Sequence, residues 1–189
     1  MDLSLTCSRF LDENTVVTFI HTFEILNQKP MTSIGIDLSI NSTGICVKKD
    51  YNLPVYYIIT PHLTRKQKAI LECIDWITIV HYDKDTEQFE LSKTINLTKI
   101  TQQILSVIDK HQPHRVTIEG LAYGIHSKSL LDLAGLQHIL RHELFKRNIP
   151  VEIIPPTTLK KIFTGNSHAN KEDMINCWTY CDPRCKPYL

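Results

Sequence analysis

Ser33-Ile34-Gly35-Ile36-Asp37-Leu38-Ser39-Ile40-Asn41-Ser42-Thr43-Gly44-Ile45-Cys46-Val47 decides the fold of this chain. An apolar run ends in an acid, a polar turn follows, and a second apolar run opens at Gly44, which reads as strand, turn, strand. Val55-Tyr56-Tyr57-Ile58-Ile59 comes after the Asn52-Leu53-Pro54 break, and its β-branched and aromatic content predicts a third strand. Short connections make these three strands antiparallel neighbours. Downstream, Leu97, Ile100, Ile104, Leu105 and Ile108 recur at helical spacing until His111-Gln112-Pro113 stops the helix. Arg115-Val116-Thr117-Ile118-Glu119-Gly120 is then a short buried strand that again ends in an acid. A second helix runs from about Ser129 to Arg147, with Leu133, Leu136, Leu140 and Leu144 as its core stripe and Gly135 permitting close packing. Val151 to Ile154 is another strand. Pro155-Pro156 opens a short helix carrying Lys160 and Lys161, which Thr164-Gly165-Asn166 breaks, and Lys171 to Tyr180 forms a last helix stopped before Asp182-Pro183. The segment from Arg65 to Val80 reads as a helix, or as a basic loop leading into an apolar helix. The resulting order, β-β-β-α-β-α-β-α, predicts an α/β fold: three antiparallel N-terminal strands, then parallel strands with flanking helices, in one mixed sheet.

A chain of 189 residues suits one domain with an appendage. Residues 1–30 stand apart as an N-terminal extension of unassigned role, and residues 31–189 form the domain. Hydrophobic residues at 42% and charged residues at 22% exclude disordered and collagen-like classes. No apolar stretch approaches the roughly 18 residues of a membrane span, and the first thirty residues lack a secretory signal, so a cytoplasmic protein is expected. Net charge is +1, so nucleic-acid binding would have to come from local patches. Cysteines at 7, 46, 73, 177, 181 and 185 lack disulfide-scaffold density, and the Cys-x3-Cys-x3-Cys run near His168 does not have zinc-ligand spacing; all are read as reduced thiols.

The chemistry falls on the two acids that end strands. In an open α/β sheet ligands bind beyond the carboxyl ends of strands, where Asp37 and Glu119 both lie. If their strands are neighbours, the carboxylates converge and call for a hard cation, Mg²⁺ or Mn²⁺, to relieve their repulsion. Such a pair suits metal-assisted phosphodiester hydrolysis. The alternative is that each acid caps a turn or ends its strand in solvent.

Ile34-Gly35-Ile36-Asp37-Leu38-Ser39 with Thr43-Gly44 resembles the first-strand signature of the RuvC family of Holliday junction resolvases, within the RNase H-like superfamily. Val116-Thr117-Ile118-Glu119 is similar to that family's second acidic strand. The stretch Pro156 to Met174 is similar to its lysine-bearing helix, Thr-Gly turn and Ala-x-Lys-Glu helix start. Taken together, these motifs resemble the phage and viral-type branch. The resemblance implies an RNase H-like fold, a homodimer without membrane attachment, and Mg²⁺- or Mn²⁺-dependent nicking of four-way DNA junctions, in a host cytoplasm if the chain is phage- or virus-encoded. By the same resemblance Asp37 and Glu119 are catalytic metal ligands, and Lys160, Lys161 and Lys171 contact backbone phosphates. Tyr123, in the polar loop Ala122 to Ser127, is placed by it near the junction centre. Tyr56, Tyr57 and Trp76 are expected in packing.

The chain departs from the family at its carboxyl end. The family adds further acids on a later helix, whereas after Lys171 this sequence holds only Glu172, Asp173 and Asp182. The expectation is a domain lacking its last acidic helix. The first alternative is therefore a catalytically impaired, truncated module that binds junction DNA. The second is a nucleotide-binding fragment of the actin and hexokinase kind, against which stand only six glycines and no Gly-rich phosphate loop.

Overall fold

In a computed structural model, which describes residues 31–50, 52–71, 73–87, 89–121 and 128–184, the first described element is the strand β1 (Thr32–Asp37). β2 (Thr43–Lys49) and β3 (Val55–Thr60) follow, each antiparallel to the strand before it. α1 (Arg65–Leu71) crosses over to β4 (Ile77–His81), which lies parallel to β3. Next come α2 (Phe89–His111), β5 (Arg115–Glu119), α3 (Lys128–Lys146), β6 (Val151–Ile154), α4 (Pro156–Thr164) and α5 (Lys171–Cys181). These elements belong to the second of the two units into which the chain divides, Thr32–Leu189. The sheet runs β4-β3-β2-β1-β5-β6, so β1 sits inside, antiparallel to β2 and parallel to β5, which is in turn parallel to β6. The expected mixed α/β sheet is present.

One expectation is corrected. The apolar run after Trp76 is a strand, not a helix, and the sheet has six strands among the described residues. Ile77-Thr78-Ile79-Val80 is β-branched throughout, which suits a pleated edge better than a helix. The Tyr56 N–H donates to the Trp76 carbonyl at 3.0 Å, which starts the β3–β4 pairing. The helix of this region is confined to α1, whose start is fixed reciprocally: the Gln67 side chain accepts from the Thr64 N–H at 3.0 Å, and the Thr64 hydroxyl accepts from the Gln67 N–H at 3.2 Å.

Alternation along the strands separates two faces. Ile34, Ile36, Ile45, Val47, Val116 and Ile118 are buried on one face, where they form a core with Ile100, Ile104 and Ile108 of α2 and Leu136, Leu140 and Leu144 of α3. The helical stripes expected from the sequence are therefore the ones that cover the sheet. Gly135 is not required for the approach of α2: a β-carbon there would make only an ordinary contact with Leu97 Cδ1 at 3.5 Å. On the other face Tyr56 makes edge-on contacts with Trp76 and Trp178. Tyr57 is buried and bonded to His111 Nε2 at 2.6 Å, so these aromatic rings serve packing. Among the described residues no helix is long and apolar enough to cross a membrane.

Candidate active site

β1 and β5 are parallel and in register from Ser33↔Arg115 to Ile36↔Ile118. One residue further, the two strands present Asp37 and Glu119. Because Ile36 and Ile118 both point into the core, the next residue on each strand faces the opposite side of the sheet. Two carboxylates thus share one face and one end of adjacent strands.

The turn beyond Asp37 is locked by a buried hydroxyl. Thr43 Oγ1 donates to the Ser39 carbonyl at 2.7 Å and accepts from the Ser39 N–H at 3.1 Å, while Ser39 Oγ accepts from the N–H groups of Asn41 and Ser42. That double bond returns the chain into β2, where Gly44 pairs with Asp37. Behind Glu119, its own carbonyl accepts from Gln137 Nε2 of α3 at 3.2 Å. The Gly120 N–H then donates to the Ile154 carbonyl at 2.8 Å. A β-carbon at Gly120 would sit 3.3 Å from that oxygen and 3.4 Å from Ile153 Cγ2, so a side chain there would crowd β6 beside the site. Ser39 and Thr43 belong to the strand-turn motif but were given no role from the sequence, and Gln137 was not singled out. The available signal was a buried Gln on the core side of an otherwise leucine-lined helix stripe.

Electrostatically the pair is under tension. Partial desolvation of its carboxyl holds Asp37 above its usual range, although the residue keeps an exposed edge. Glu119 is raised first by burial and then by the charge of Asp37, with Lys160 pulling the other way. Lys160, half-buried on α4, is therefore within electrostatic reach of Glu119. Lys161 and Lys171 are exposed, the first on α4 and the second at the start of α5. Tyr123 lies outside the described residues, as do Cys185 and residues 1–30.

Among the described residues no further acid joins the pair. Asp182 is only 1% exposed and fully engaged: Arg184 Nη2 donates to it at 2.7 Å, Arg184 Nε at 2.9 Å and the Tyr56 hydroxyl at 3.2 Å. Arg184 also stacks over Trp76 and holds its carboxyl below the usual range, so Asp182 clasps the chain to β3. Asp173 accepts from the Asn170 N–H in a capping box that starts α5. Among the described residues no group of three or more His, Cys, Asp or Glu could hold a metal ion. The donor set is two hard carboxylate oxygens with no cation neutralising them fully. It fits part of the shell of a small divalent cation, which commonly keeps several waters and takes one or two carboxylates.

Comparison with known proteins gives a consistent picture. The family model described as crossover junction endodeoxyribonuclease RuvC matches residues 34–178. The RuvC of Salinibacter ruber is 32% identical over 78 residues, 41% of this chain and 44% of that protein. The Helicobacter pylori (strain Shi470) RuvC is 31% identical over 87 residues, 42% and 55% of the two chains. This chain spans about half the length of the curated relatives it matches. Among solved structures, Thermus thermophilus RuvC aligns with a TM-score of 0.52 and 17% identity over 80% of each chain. The T. thermophilus RuvC complex with Holliday junction substrate gives 0.51 and 18%, over 80% of this chain and 79% of that one. These structural likenesses concern the fold.

Proposed function

The chain belongs to the RuvC family of crossover junction endodeoxyribonucleases, and from that premise we propose that it is a structure-selective endonuclease that nicks four-way or branched DNA by metal-dependent phosphodiester hydrolysis. The observation that carries the reading is the Asp37–Glu119 pair, two carboxylates of raised proton affinity at the ends of adjacent parallel strands. Strained like charges with hard oxygen donors are what a cation-dependent phosphodiesterase requires of its scaffold. Asp37 and Glu119 would hold Mg²⁺ or Mn²⁺, which when bound supplies the positive charge that activates an attacking water and stabilises the leaving oxygen. Lys160, whose charge partly offsets the raised proton affinity of Glu119, would face a non-bridging phosphate oxygen. Lys161 and Lys171 hold neighbouring phosphates as mobile point charges, which fixes position without reading sequence. Tyr123, four residues after Glu119, is assigned to stacking at the junction centre.

A homodimer is part of the reading. It is supported by two exposed apolar side chains on one side of α3, Leu131 at 79% and Phe145 at 78%, about four turns apart. Light scattering is expected to give twice the monomer mass. A second reading, a junction-binding module that does not cleave, is favoured by the finding that only two carboxylates meet among the described residues. The test is incubation of a labelled four-way junction and a linear duplex of the same arm sequences with Mg²⁺, with Mn²⁺ and with EDTA. Paired nicks in the junction alone, dependent on the metal, are expected. Retention of the junction without nicks selects the second reading.

A further inference from the structure

Helix α4 differs from the rest of the surface in composition and placement. It springs from β6, whose last residue, Ile154, pairs in register with Glu119. Pro156 opens the helix, and Gly165, in the left-handed region at φ 79°, closes it. From Pro155 to Asn170 the chain holds Lys160, Lys161 and His168 and no acid, with Lys171 next, in a protein whose net charge is only +1. Its two sides carry different groups. Leu159 and Lys160 are half-buried on the inner side, while Thr157, Thr158, Lys161 and Ile162 are exposed. At 3.6 residues per turn Thr158 and Ile162 stack one above the other, and Lys161 lies beside them.

Ile162 is 69% exposed and its neighbour Phe163 is 37% exposed. A large aliphatic side chain held in water on a cationic helix is poorly placed for folding and well placed for a partner that offers both phosphates and an apolar surface. Nucleic acid is such a partner: phosphates meet lysines, and the faces of unstacked bases meet apolar wedges of the Ile, Leu or Phe kind. A helix is about 10 Å across with its side chains, so the outer side of α4 falls one to two nucleotides from a phosphate held beside Lys160 and Glu119.

We propose that the outer side of α4 is a DNA-facing element in which Lys161 holds a phosphate and Ile162 wedges against a base that is unstacked at a branch, so that Ile162 helps distinguish branched from fully paired DNA. The proposal rests on the endonuclease reading above. It assigns to Ile162 a positioning role on the substrate and no part in the chemistry.

The test is anisotropy of the full chain with a labelled four-way junction and with a linear duplex, in Ca²⁺ to suppress cleavage. A second junction carries 2-aminopurine at the branch. For Ile162→Ser we expect junction affinity to fall about tenfold, the order expected when one aliphatic side chain loses its burial. Duplex affinity is expected to stay unchanged, and the 2-aminopurine fluorescence rise expected with the wild type to disappear. Ile162→Leu should restore both signals. Lys161→Gln should weaken junction and duplex alike and reduce the salt slope by about one phosphate contact. The wedge is overturned if Ile162→Ser matches the wild type in junction affinity and fluorescence, or weakens both DNAs equally, while the wild type still binds and nicks junctions. A wild type that shows no preference for the junction overturns the endonuclease reading and the wedge together.

Discussion

Replacing Glu119 by Gln should make the metal-free protein more stable at neutral pH while removing a metal ligand. Adjacent strands lie about 4.8 Å apart, and two carboxylates roughly 6 Å apart repel by about 3 kcal/mol at an effective dielectric of 20. Asp37 is exposed and Lys160 offsets part of the repulsion, so solvent screening brings the expected relief to about 1 kcal/mol. For a chain of this size that is a rise in Tm of about 2–4 °C. The pH dependence has a definite sign. Glu119 holds its proton more tightly folded than unfolded, so wild-type stability falls as pH climbs from the ordinary value of 4.5 through the raised folded value, and is level above it. Glu119→Gln removes that fall, so the gap between the two proteins opens across this window and vanishes below it. Thermal unfolding in EDTA from pH 4 to 8 reads this directly. Adding Mg²⁺ should then reverse the order, because at about ten times Kd the wild type gains about 1.4 kcal/mol and Glu119→Gln gains little. Glu119→Gln being less stable than wild type in EDTA at every pH would refute the claim that the two carboxylates repel across the strand ends.

Three further outcomes are expected. Thr43→Val keeps the shape of a fully buried side chain but strands the Ser39 N–H and carbonyl; urea unfolding should show a loss of roughly 1–3 kcal/mol. Asp182→Asn breaks the pair with Arg184, and since Arg184 is 26% exposed, the loss should be about 2 kcal/mol instead of the larger cost of a fully buried pair. That stability is present above the ordinary carboxylate value of 3.8 and is lost as pH falls through the depressed folded value, so the difference seen in chemical unfolding at pH 7 should shrink at strongly acidic pH. Lys160→Gln removes the charge that draws the Glu119 proton affinity down, so the acidic limb of the pH–rate profile for junction nicking should move to higher pH; an unmoved limb would show that Lys160 does not act on Glu119.

Much of the fold was legible because local chemistry and burial agree along the strands and the long helices. The Ile-Gly-Ile and Val-Thr-Ile runs end in acids, and the strands they form are neighbours, which places Asp37 beside Glu119. Leu136, Leu140 and Leu144 cover the sheet as their spacing requires. The run after Trp76 was harder to read, since short apolar segments fit a buried helix and a strand equally by periodicity. The Thr64–Gln67 capping box marks where the helix starts, the turn that bonds Cys73 and Ile74 back to Ile70 and Leu71 ends it, and the β-branched half is left to pair with β3. In the site, the acids and Lys160 could be singled out by residue type and resemblance. The supports could not, because the Gln137 bond to the Glu119 carbonyl, the Tyr56 hydroxyl bond to Asp182 and the Arg184 bond to the Pro54 carbonyl join residues far apart in sequence. Asp182 could be read as a spare acid; its neighbour Arg184 gave the only local sign of a structural use.

The most direct measurement is junction cleavage by the wild type, Asp37→Asn and Glu119→Gln at saturating Mg²⁺, with junction binding measured in parallel by anisotropy. The expected result is metal-dependent paired nicking by the wild type, and loss of nicking without loss of binding in both variants, since each substitution removes a carboxylate and none of the lysines. Nicking that survives in either variant would contradict the central claim that Asp37 and Glu119 together hold the catalytic cation.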